Sequence, residues 1–371
     1  MRSHALTSGV LGAIALGSAI WTAHGAPAPS GAPGPNAIEG PFTHANLAVY
    51  VIRGGSGDLS ARARSAKVDS REYLTLGQGL AAGTVEVREK GAAAGQDRAT
   101  VNSVEIENKS DKWLFLHAGD IVKGGKQDRT IMTDVLLPPH SKPQDVDAFC
   151  VEHGRWTPSR DGLAFKANPG IVAGSALKRA IQGEKNQQRV WQEVASAEGR
   201  AVTVARAAAP VTSAAMASPP ARLSSTGTYN AIAEHDALNS GRAAYVNALL
   251  PSIKKFKDAV GLAVAINGTM TAADVYTSPN LFDALSSKLL ESFALEALLA
   301  KGSEQTAPPA KQQVTAFLAH AAAAPVTGET IGESIHRSTR ETRDAVMYEY
   351  AHLPRAAARD GVVIHKSYLK K

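Results

Sequence analysis

Residues 262–299 constrain the fold most strongly. The first five residues of this segment are an apolar run that predicts a buried strand. Asn267-Gly268 follows as the preferred two-residue hairpin turn, because both positions tolerate a positive φ, and a second strand is expected to reach about Tyr276. Ser278-Pro279 then predicts a helix, with serine as the N-cap and proline in the first turn. Leucine or phenylalanine recurs about every fourth residue of this helix, which predicts a buried apolar stripe.

Six short segments in the first half of the chain have the alternation or the β-branched and aromatic composition of strands. They lie at residues 47–52, 84–88, 104–107, 113–116, 131–137 and 146–151. Short strands with turn residues between them are typical of a sandwich or a partly open barrel. A short helix near residues 74–82 is also expected.

After Asn168-Pro169-Gly170 the spacing of apolar residues becomes helical. Helices are expected at residues 176–197, 243–256 and 311–322, and late strands at 346–350 and 362–368. Pro251 is expected to kink or split the second helix. Residues 199–225 are rich in Ala, Ser and Pro, which predicts an insertion or a disordered linker.

The predicted fold class is α+β. An N-terminal antiparallel β-sandwich-like half (46–168) and a helical and β-hairpin C-terminal half (169–371) form a single domain, with the helices packed on the sheets. No internal repeat is visible.

The N-terminus has the pattern of a secretory signal peptide. Arg2 and His4 precede an apolar run of small residues, and Ala23 and Gly25 occupy the −3 and −1 positions of a cleavage site after residue 25. Residues 1–25 are therefore predicted to be a leader, and 26–45 a flexible tether rich in Pro, Gly and Ala. The alternative is a leader retained as a membrane anchor. We expect an exported protein, periplasmic or secreted.

Composition excludes several functions. Cys150 is the single cysteine, so no intrachain disulfide can form. The net charge of +6 is scattered, and only 5% of residues are aromatic, so nucleic acid is not an expected partner. No apolar run after the leader reaches the length of a membrane span. No dinucleotide or Walker motif is complete, and no cofactor is predicted.

Polar and glycine residues are unusually dense in residues 119–156, the segment called here the cassette. Gly124-Gly125 lets a ligand approach the main chain, and Lys126 and Arg129 could bind an anion. Gln127 and Asp128 could orient a hydroxyl group or a water molecule. A Walker loop is not supported, because the glycine–lysine spacing is one residue too long and no Ser or Thr follows the lysine. The alternative is a tight hairpin held by an Arg–Asp pair.

The second part of the cassette ends a strand. Glu152, with Asp128 as the alternative, is the candidate general base, and Arg155 and Trp156 are candidates for stacking on a ligand or for covering the core. Cys150 is interpreted as a small core residue rather than as a nucleophile. His117, His140, Glu152 and His153 match no zinc spacing, so no metal site is predicted.

Three stretches of the chain resemble one known family. They are Asn108-x-Ser110-Asp111-Lys112-x-Leu114-Phe115-Leu116-x-Ala118-Gly119 with Lys123-Gly124-Gly125-Lys126-Gln127-Asp128-Arg129, then Leu137-Pro138-Pro139, then Cys150-Val151-Glu152-x-Gly154-Arg155-Trp156. The family is the ARG and Rhodanese-Phosphatase-superfamily-associated protein domain, and the resemblance extends from about Leu47 to the end, with residues 199–225 departing from the pattern. The resemblance implies an unknown activity and, by association only, nucleotide or ADP-ribose-type ligands. The expected export weakens this association with nucleotide ligands, because an exported protein does not reach the cytosolic nucleotide pools.

Three hypotheses on function stay open. The first is an extracytoplasmic binding module for a small polar or anionic ligand, such as a sugar or sugar phosphate, with Gly124, Gly125, Lys126, Gln127, Arg129, Arg155 and Trp156 as binding residues. The second is a hydrolase in which Glu152 or Asp128 is the base and Lys126 and Arg129 stabilise negative charge. The third is a structural or protein-interaction role in the cell envelope. The oligomeric state is left open.

Overall fold

The computed structural model describes residues 37–54, 72–160, 162–208, 223–300, 302, 306–331, 335–353 and 361–371. The predicted leader, most of the predicted tether and the centre of the predicted 199–225 insertion lie outside the described residues.

The strands are numbered here in chain order. They are β1 (Ile38–His44), β2 (Leu47–Arg53), β3 (Tyr73–Thr75), β4 (Val85–Glu89), β5 (Ser103–Asn108), β6 (Trp113–Leu116), β7 (Asp120–Gly124), β8 (Arg129–Ile131), β9 (Val135–Leu137), β10 (Ser141–Cys150), β11 (Phe165–Val172), β12 (Ala259–Ile266), β13 (Thr269–Tyr276), β14 (Val326–Ile331), β15 (Ile335–Glu341), β16 (Ala345–His352) and β17 (Val362–Lys370).

The helices are α1 (Leu76–Ala81), α2 (Ser175–Arg179), α3 (Gln187–Ala208), α4 (Tyr229–Glu234), α5 (Asp236–Lys254), α6 (Pro279–Leu299) and α7 (Lys311–Ala322). A 3-10 turn (Ala92–Ala94) follows β4, and a π-helical turn (Ala180–Glu184) lies between α2 and α3.

The strands form three sheets. The largest has eight strands in the order β1-β2-β12-β13-β17-β16-β15-β14, and every pairing in it is antiparallel. A six-stranded antiparallel sheet has the order β11-β7-β8-β10-β5-β4. In the three-stranded sheet, β6 pairs in parallel with β3 and antiparallel with β9. The predicted α+β class is confirmed.

The large sheet is covered on both faces, which explains the unbroken apolar runs of its inner strands. Leu262 and Val264 of β12 join the core cluster that contains Leu289 of α6, whereas Ala263 between them joins the cluster that contains Leu318 of α7. Successive side chains of a strand point to opposite faces, so α6 and α7 lie on opposite sides of this sheet. A third apolar cluster fills the space among β4 to β10.

The hairpin and helix predicted from residues 262–299 are confirmed. Asn267 and Gly268 have φ angles of 51° and 71°, which are the positive values that this turn requires. The Ser278 side chain accepts a hydrogen bond from the backbone N–H of Leu281, and Pro279 begins α6. Here the local sequence is sufficient, because the turn and the cap depend only on neighbouring residues.

The division into two halves requires correction. β1 and β2 belong to the sheet of the C-terminal half, where β2 pairs with β12 along its length. The reason is that every residue of Leu47–Arg53 except the last is buried, and a strand that is apolar on both faces needs neighbours and cover on both sides. The N-terminal half is therefore not a separate sandwich.

Several predicted boundaries are also corrected. The tether cannot extend to residue 45, since Ile38–His44 forms β1. The single strand expected at 131–137 is two short strands, β8 and β9, and the helix expected at 176–197 is broken at Lys185, which has a φ of 49°. Pro251 lies inside α5 without splitting it: the helix continues to Lys254, although proline has no N–H to donate to the preceding turn. The insertion does not begin at residue 199, since α3 continues to Ala208.

Six strands were not expected from the sequence: β1, β3, β7, β11, β14 and β15. The edge strand β14 (VTGETI) and its neighbour β15 (IHRSTRE) contain many polar residues, and their pairing depends on the adjacent β16. Across the described residues, no helix has both the length and the apolar character required to cross a membrane.

Candidate functional site

The cassette forms β7, the turn at residues 124–128, β8, β9, β10 and the loop that follows β10. Gly124 and Gly125 both have positive φ, 133° and 49°. A Cβ on Gly125 would lie 2.3 Å from the Phe165 ring and 2.6 Å from a carboxylate oxygen of Glu89. Glycine is therefore required here because the protein itself fills the space beside the main chain.

Arg129 is completely buried and is paired within the protein. One terminal nitrogen lies 3.1 Å from both carboxylate oxygens of Glu89 and 3.2 Å from the carbonyl oxygen of Thr100. The other lies 2.6 Å from the sulfur of Cys150, and its Nε has no hydrogen-bond partner among the described residues. The Glu89 side chain is also fully buried, so this pair stabilises the interior and Arg129 does not face solvent.

Asp128 is buried as well, with 2% of its surface exposed. Its carboxylate accepts hydrogen bonds from the backbone N–H of Gly124 at 3.0 Å, from the Thr228 hydroxyl at 2.6 Å and from the Asn230 amide at 2.6 Å. Burial raises the pKa of Asp128, and the hydrogen bonds from Thr228 and Asn230 partly oppose this rise. With its lone pairs already occupied, Asp128 has little capacity to activate a water molecule.

Glu152 accepts hydrogen bonds from the backbone N–H of Asp128 at 3.0 Å and from Arg155 at distances down to 2.6 Å. Burial raises the pKa of Glu152, but hydrogen bonds from Arg155, Thr226 and Asp128 and the Arg155 charge outweigh it, so the net shift is downward. Arg155 also donates to the carbonyl oxygens of Gly124 and Gly125. The pair therefore closes the turn at residues 124–128.

Among the remaining predicted site residues, Lys126 and Trp156 lie nearer the surface, whereas Gln127 is buried. Lys126 forms a 2.9 Å ion pair with Asp97, and its ammonium nitrogen lies 5.5 Å from the centre of the Trp156 ring. Trp156 is 43% exposed. The Gln127 amide donates to the carbonyl oxygen of His153 at 3.2 Å. The structure thus brings the predicted site residues together, with their charged groups paired within the protein. Their role in ligand binding or catalysis stays a prediction.

A groove adjoins the cassette at His153. Its volume is about 400 Å³, and its lining includes His153, Gln188, Trp191, Glu198 and Gly227. The His153 ring lies edge-on to Trp191, with ring centres 4.6 Å apart. The indole N–H of Trp191 is buried and has no hydrogen-bond partner within the described residues. The groove is therefore bordered by two aromatic rings, His153 and Trp191, and Trp191 also has a buried donor without a partner among the described residues.

A second cluster of buried polar residues lies between the large sheet and the β6–β9 region. His365 of β17 has Nδ1 2.6 Å from a carboxylate oxygen of Asp134 and Nε2 3.1 Å from one of Asp274. All three side chains are fully buried. Burial alone lowers the pKa of His365, but the charges and hydrogen bonds of Asp134 and Asp274 raise it to about 9. The imidazole is therefore a cation held between two carboxylates.

Two lysines complete this cluster, which we call the buried charge centre. Lys178 of α2 lies 3.5 Å from Asp274, and Lys288 of α6 lies 2.6 Å from Asp120. Asp120 also accepts the backbone N–H of His117. The carboxylates of Asp120, Asp134 and Asp274 thus face the cations Lys178, Lys288 and His365. Because three carboxylates face three cations, the six groups together bring little net charge into the interior.

Aromatic rings border the buried charge centre. Tyr276 stacks on His365 with ring centres 4.3 Å apart and planes 8° apart. Its hydroxyl is buried and has no hydrogen-bond partner in the described part of the chain. Burial and the charges of Asp274, Asp134 and Asp120 raise the pKa of Tyr276 well above its usual value, so the phenol stays neutral.

Sequence reasoning missed the buried charge centre apart from His117, which it had grouped with His140, Glu152 and His153. The only sequence signals are an aspartate inside the apolar strand β13 and the run His365-Lys366-Ser367 inside β17. Both are charged or polar positions where a central strand should be apolar.

The fold and these two polar cores define an α+β protein in which a large, doubly covered antiparallel sheet joins smaller sheets through buried ion pairs. The chain belongs to the ARG and Rhodanese-Phosphatase-superfamily-associated Protein domain family, whose model matches residues 37–369. The function of this family is unknown. No curated protein and no solved structure matches the chain.

The Arg129–Glu89 pair yields a prediction on stability. Arg129→Met should lower the free energy of unfolding by roughly 3–5 kcal/mol, because Glu89 is left as an unpaired buried charge. Adding Glu89→Gln should recover part of the loss. Urea unfolding of the two single variants and the double variant measures both effects.

The matched control for this prediction is Lys254→Met, which breaks the exposed pair with Asp283 and should cost less than about 1 kcal/mol. If Arg129→Met cost no more than this control, the pair would not be buried in solution as described.

Cys150 yields a prediction on reactivity. Burial raises the pKa of its thiol to about 11, with the Arg129 charge acting in the opposite direction, and the residue has no exposed surface. Because the thiolate is the reactive form, a thiol reagent at pH 8 should modify the native chain far more slowly than the chain in denaturant. Equal rates would show that Cys150 is accessible.

Proposed function

We propose that the protein is an exported binding module for a small, uncharged polar ligand, which binds in the groove beside the cassette. The observation that carries the proposal is Trp191, which lines a groove large enough for a small molecule and whose indole N–H is buried without a hydrogen-bond partner among the described residues. A buried donor without a partner costs free energy, and a ligand oxygen would supply that partner.

The charges of the cassette favour an uncharged ligand over an anionic one. Arg129 is paired with Glu89, Arg155 with Glu152, and Lys126 with Asp97. An anion would have to break one of these pairs and leave a carboxylate unpaired, which is expensive where the pair is buried. The sugar-phosphate form of the earlier hypothesis is therefore less well supported than a neutral sugar.

The groove has the chemistry that suits a polyhydroxylated ligand. Trp191 provides an aromatic ring and a donor, and the amides of Gln188 and Gln192 can both donate and accept hydrogen bonds. Glu198 is held by the backbone N–H of Leu223 at 2.9 Å, which orients its carboxylate. A neutral saccharide combines apolar ring faces with hydroxyl groups and matches this lining.

The hydrolase hypothesis receives less support from the same contacts. A general base needs a free lone pair within reach of water and a pKa near the working pH. The Asp128 carboxylate already accepts three hydrogen bonds, and Arg155 lowers the pKa of Glu152. The internal pairing instead favours a structural role for the cassette itself, which positions His153 at the edge of the groove.

Binding can be tested with a thermal-shift screen of neutral mono- and disaccharides and their phosphates, since a ligand of the folded state raises the melting temperature. We expect at least one neutral saccharide to raise it. Trp191→Phe keeps an aromatic ring but removes the N–H, and should weaken that binding by roughly threefold to tenfold, the value of one hydrogen bond.

Trp156→Phe is the matched control, because it changes the other tryptophan near the cassette, and it should leave binding unchanged. The proposal fails if no neutral saccharide acts, if only the phosphates act, or if binding depends on Trp156 and not on Trp191.

Export rests on the order of basic, apolar and small residues at the N-terminus. The full chain expressed in a Gram-negative bacterium should be recovered from the periplasm or medium, shortened by about 25 residues, whereas a chain starting at residue 26 should stay in the cytoplasm. Recovery of the uncleaved full chain in the membrane fraction would instead identify a retained anchor.

A further inference from the structure

The buried charge centre contains three side chains whose ligand atoms converge. One nitrogen of His117, one oxygen of Asp274 and one nitrogen of His365 lie within 4.8 Å of one another. All three residues have no exposed surface. They come from the loop between β6 and β7, from β13 and from β17, so only the tertiary fold brings them together.

The imidazole of His117 is held in one orientation. Its Nδ1 lies 2.7 Å from the carbonyl oxygen of Ala118, and because a carbonyl can only accept, Nδ1 must carry the proton. Nε2 is then left with a lone pair, and it is buried with no partner among the described residues. A histidine that ligates a metal usually has this arrangement, with the second nitrogen bonded to a carbonyl or carboxylate.

His365 is oriented by a carboxylate in the same way. Its Nδ1 is bonded to Asp134, whose other oxygen accepts the backbone N–H of Ala118 at 2.8 Å. This leaves Nε2 of His365 directed at Asp274. A carboxylate, an imidazole and a metal commonly form a chain of this kind. Both histidines therefore have Nδ1 held by an oxygen of the protein, while Nε2 of His117 is without a partner among the described residues and Nε2 of His365 faces Asp274.

We propose that His117, Asp274 and His365 bind one divalent first-row transition-metal ion, of which Zn²⁺ is the simplest example. Two imidazoles and one carboxylate suit such ions, whereas Mg²⁺ and Ca²⁺ prefer oxygen ligands. Ligands of one zinc ion lie about 2 Å from it and hence at most about 4 Å apart, so modest side-chain rotations complete the site.

Two neighbours shape this site. Lys178 contacts the second oxygen of Asp274 at 3.5 Å, which leaves the oxygen facing His365 for the ion. The ion replaces the proton shared between His365 and Asp274, so one proton is released on binding. The buried Tyr276 hydroxyl, which has no partner among the described residues, borders the site. The complete burial of the three ligands indicates a structural metal rather than one exposed to substrate.

The test uses the full chain, freed of metal with a chelator and then dialysed against Zn²⁺, Co²⁺, Mg²⁺ or Ca²⁺. Elemental analysis after gel filtration should find about one Zn²⁺ or Co²⁺ per chain, as for a single structural site, and the melting temperature should rise with these two ions alone. A chain that retains less than a tenth of an equivalent, with an unchanged melting temperature, overturns the proposal.

Two histidine variants distinguish the site from casual binding. His117→Gln removes a ligand whose side chain, within the described part of the chain, is hydrogen-bonded to the carbonyl oxygen of Ala118 alone, so it should fold and retain less than a tenth of the wild-type metal. His140→Gln, the matched change at an exposed histidine, should retain all of it. Equal metal retention in wild type and His117→Gln contradicts the assignment.

If His117→Gln does not fold, Asp134→Asn provides the second variant. It keeps the ligands but removes the carboxylate that orients His365, so Zn²⁺ affinity should fall roughly 10–100-fold. Unchanged affinity in this variant likewise overturns the proposal. None of these outcomes depends on saccharide binding, which concerns a different part of the molecule.

Discussion

The interaction on which the structure depends most is the ion pair between His365 and its two carboxylates. Asp274 is in the middle of the large sheet, where its charge alone would cost several kcal/mol. That cost is offset only when His365 pairs with Asp274 and when Lys178 of α2 contacts the same carboxylate. Asp134 brings the loop between β8 and β9 to the same point. The large sheet and the β6–β9 region are therefore stable only together.

Buried polar pairs also join distant segments of the chain in the cassette. Arg129 links β8 to Glu89 at the end of β4, and Asp128 links the turn to Thr228 and Asn230 near α4. Each contact satisfies a buried group that would otherwise oppose folding. A polar core of this type contributes less free energy than an apolar one of equal volume, yet it tolerates few alternative arrangements. We regard the selection of one arrangement as the function of these pairs.

The difference between local and long-range contacts explains which features could be predicted from the sequence. The Asn267-Gly268 turn, the Ser278 cap and helix α7 depend on residues within a few positions of one another, and all were predicted. The Asp134–His365 contact joins residues 231 positions apart, and the Asp274–His365 contact joins residues 91 apart. No local pattern encodes such partners. Strands β14 and β15 were not predicted for the same reason, because a polar strand is recognised only through the strand with which it pairs.

The cassette was identified because its residues are contiguous, but their environment could not be inferred. A dense polar run is normally a solvated turn, whereas here Gln127, Asp128 and Arg129 are all buried. The partners that make this burial tolerable, Glu89, Thr228 and Asn230, lie far away in sequence. The groove beside Trp191 could not be inferred either, since the helix that carries this residue showed only an amphipathic pattern.

The proposed export gives the burial of Cys150 a further consequence. A lone exposed thiol in an oxidising compartment can form disulfides between chains. Cys150 has no exposed surface, and Arg129 donates to its sulfur. The Arg129–Glu89 pair therefore also covers the one cysteine, and loosening it would expose a reactive thiol together with a buried charge. Destabilisation at Arg129 should thus appear first as covalent dimers and only later as loss of the fold.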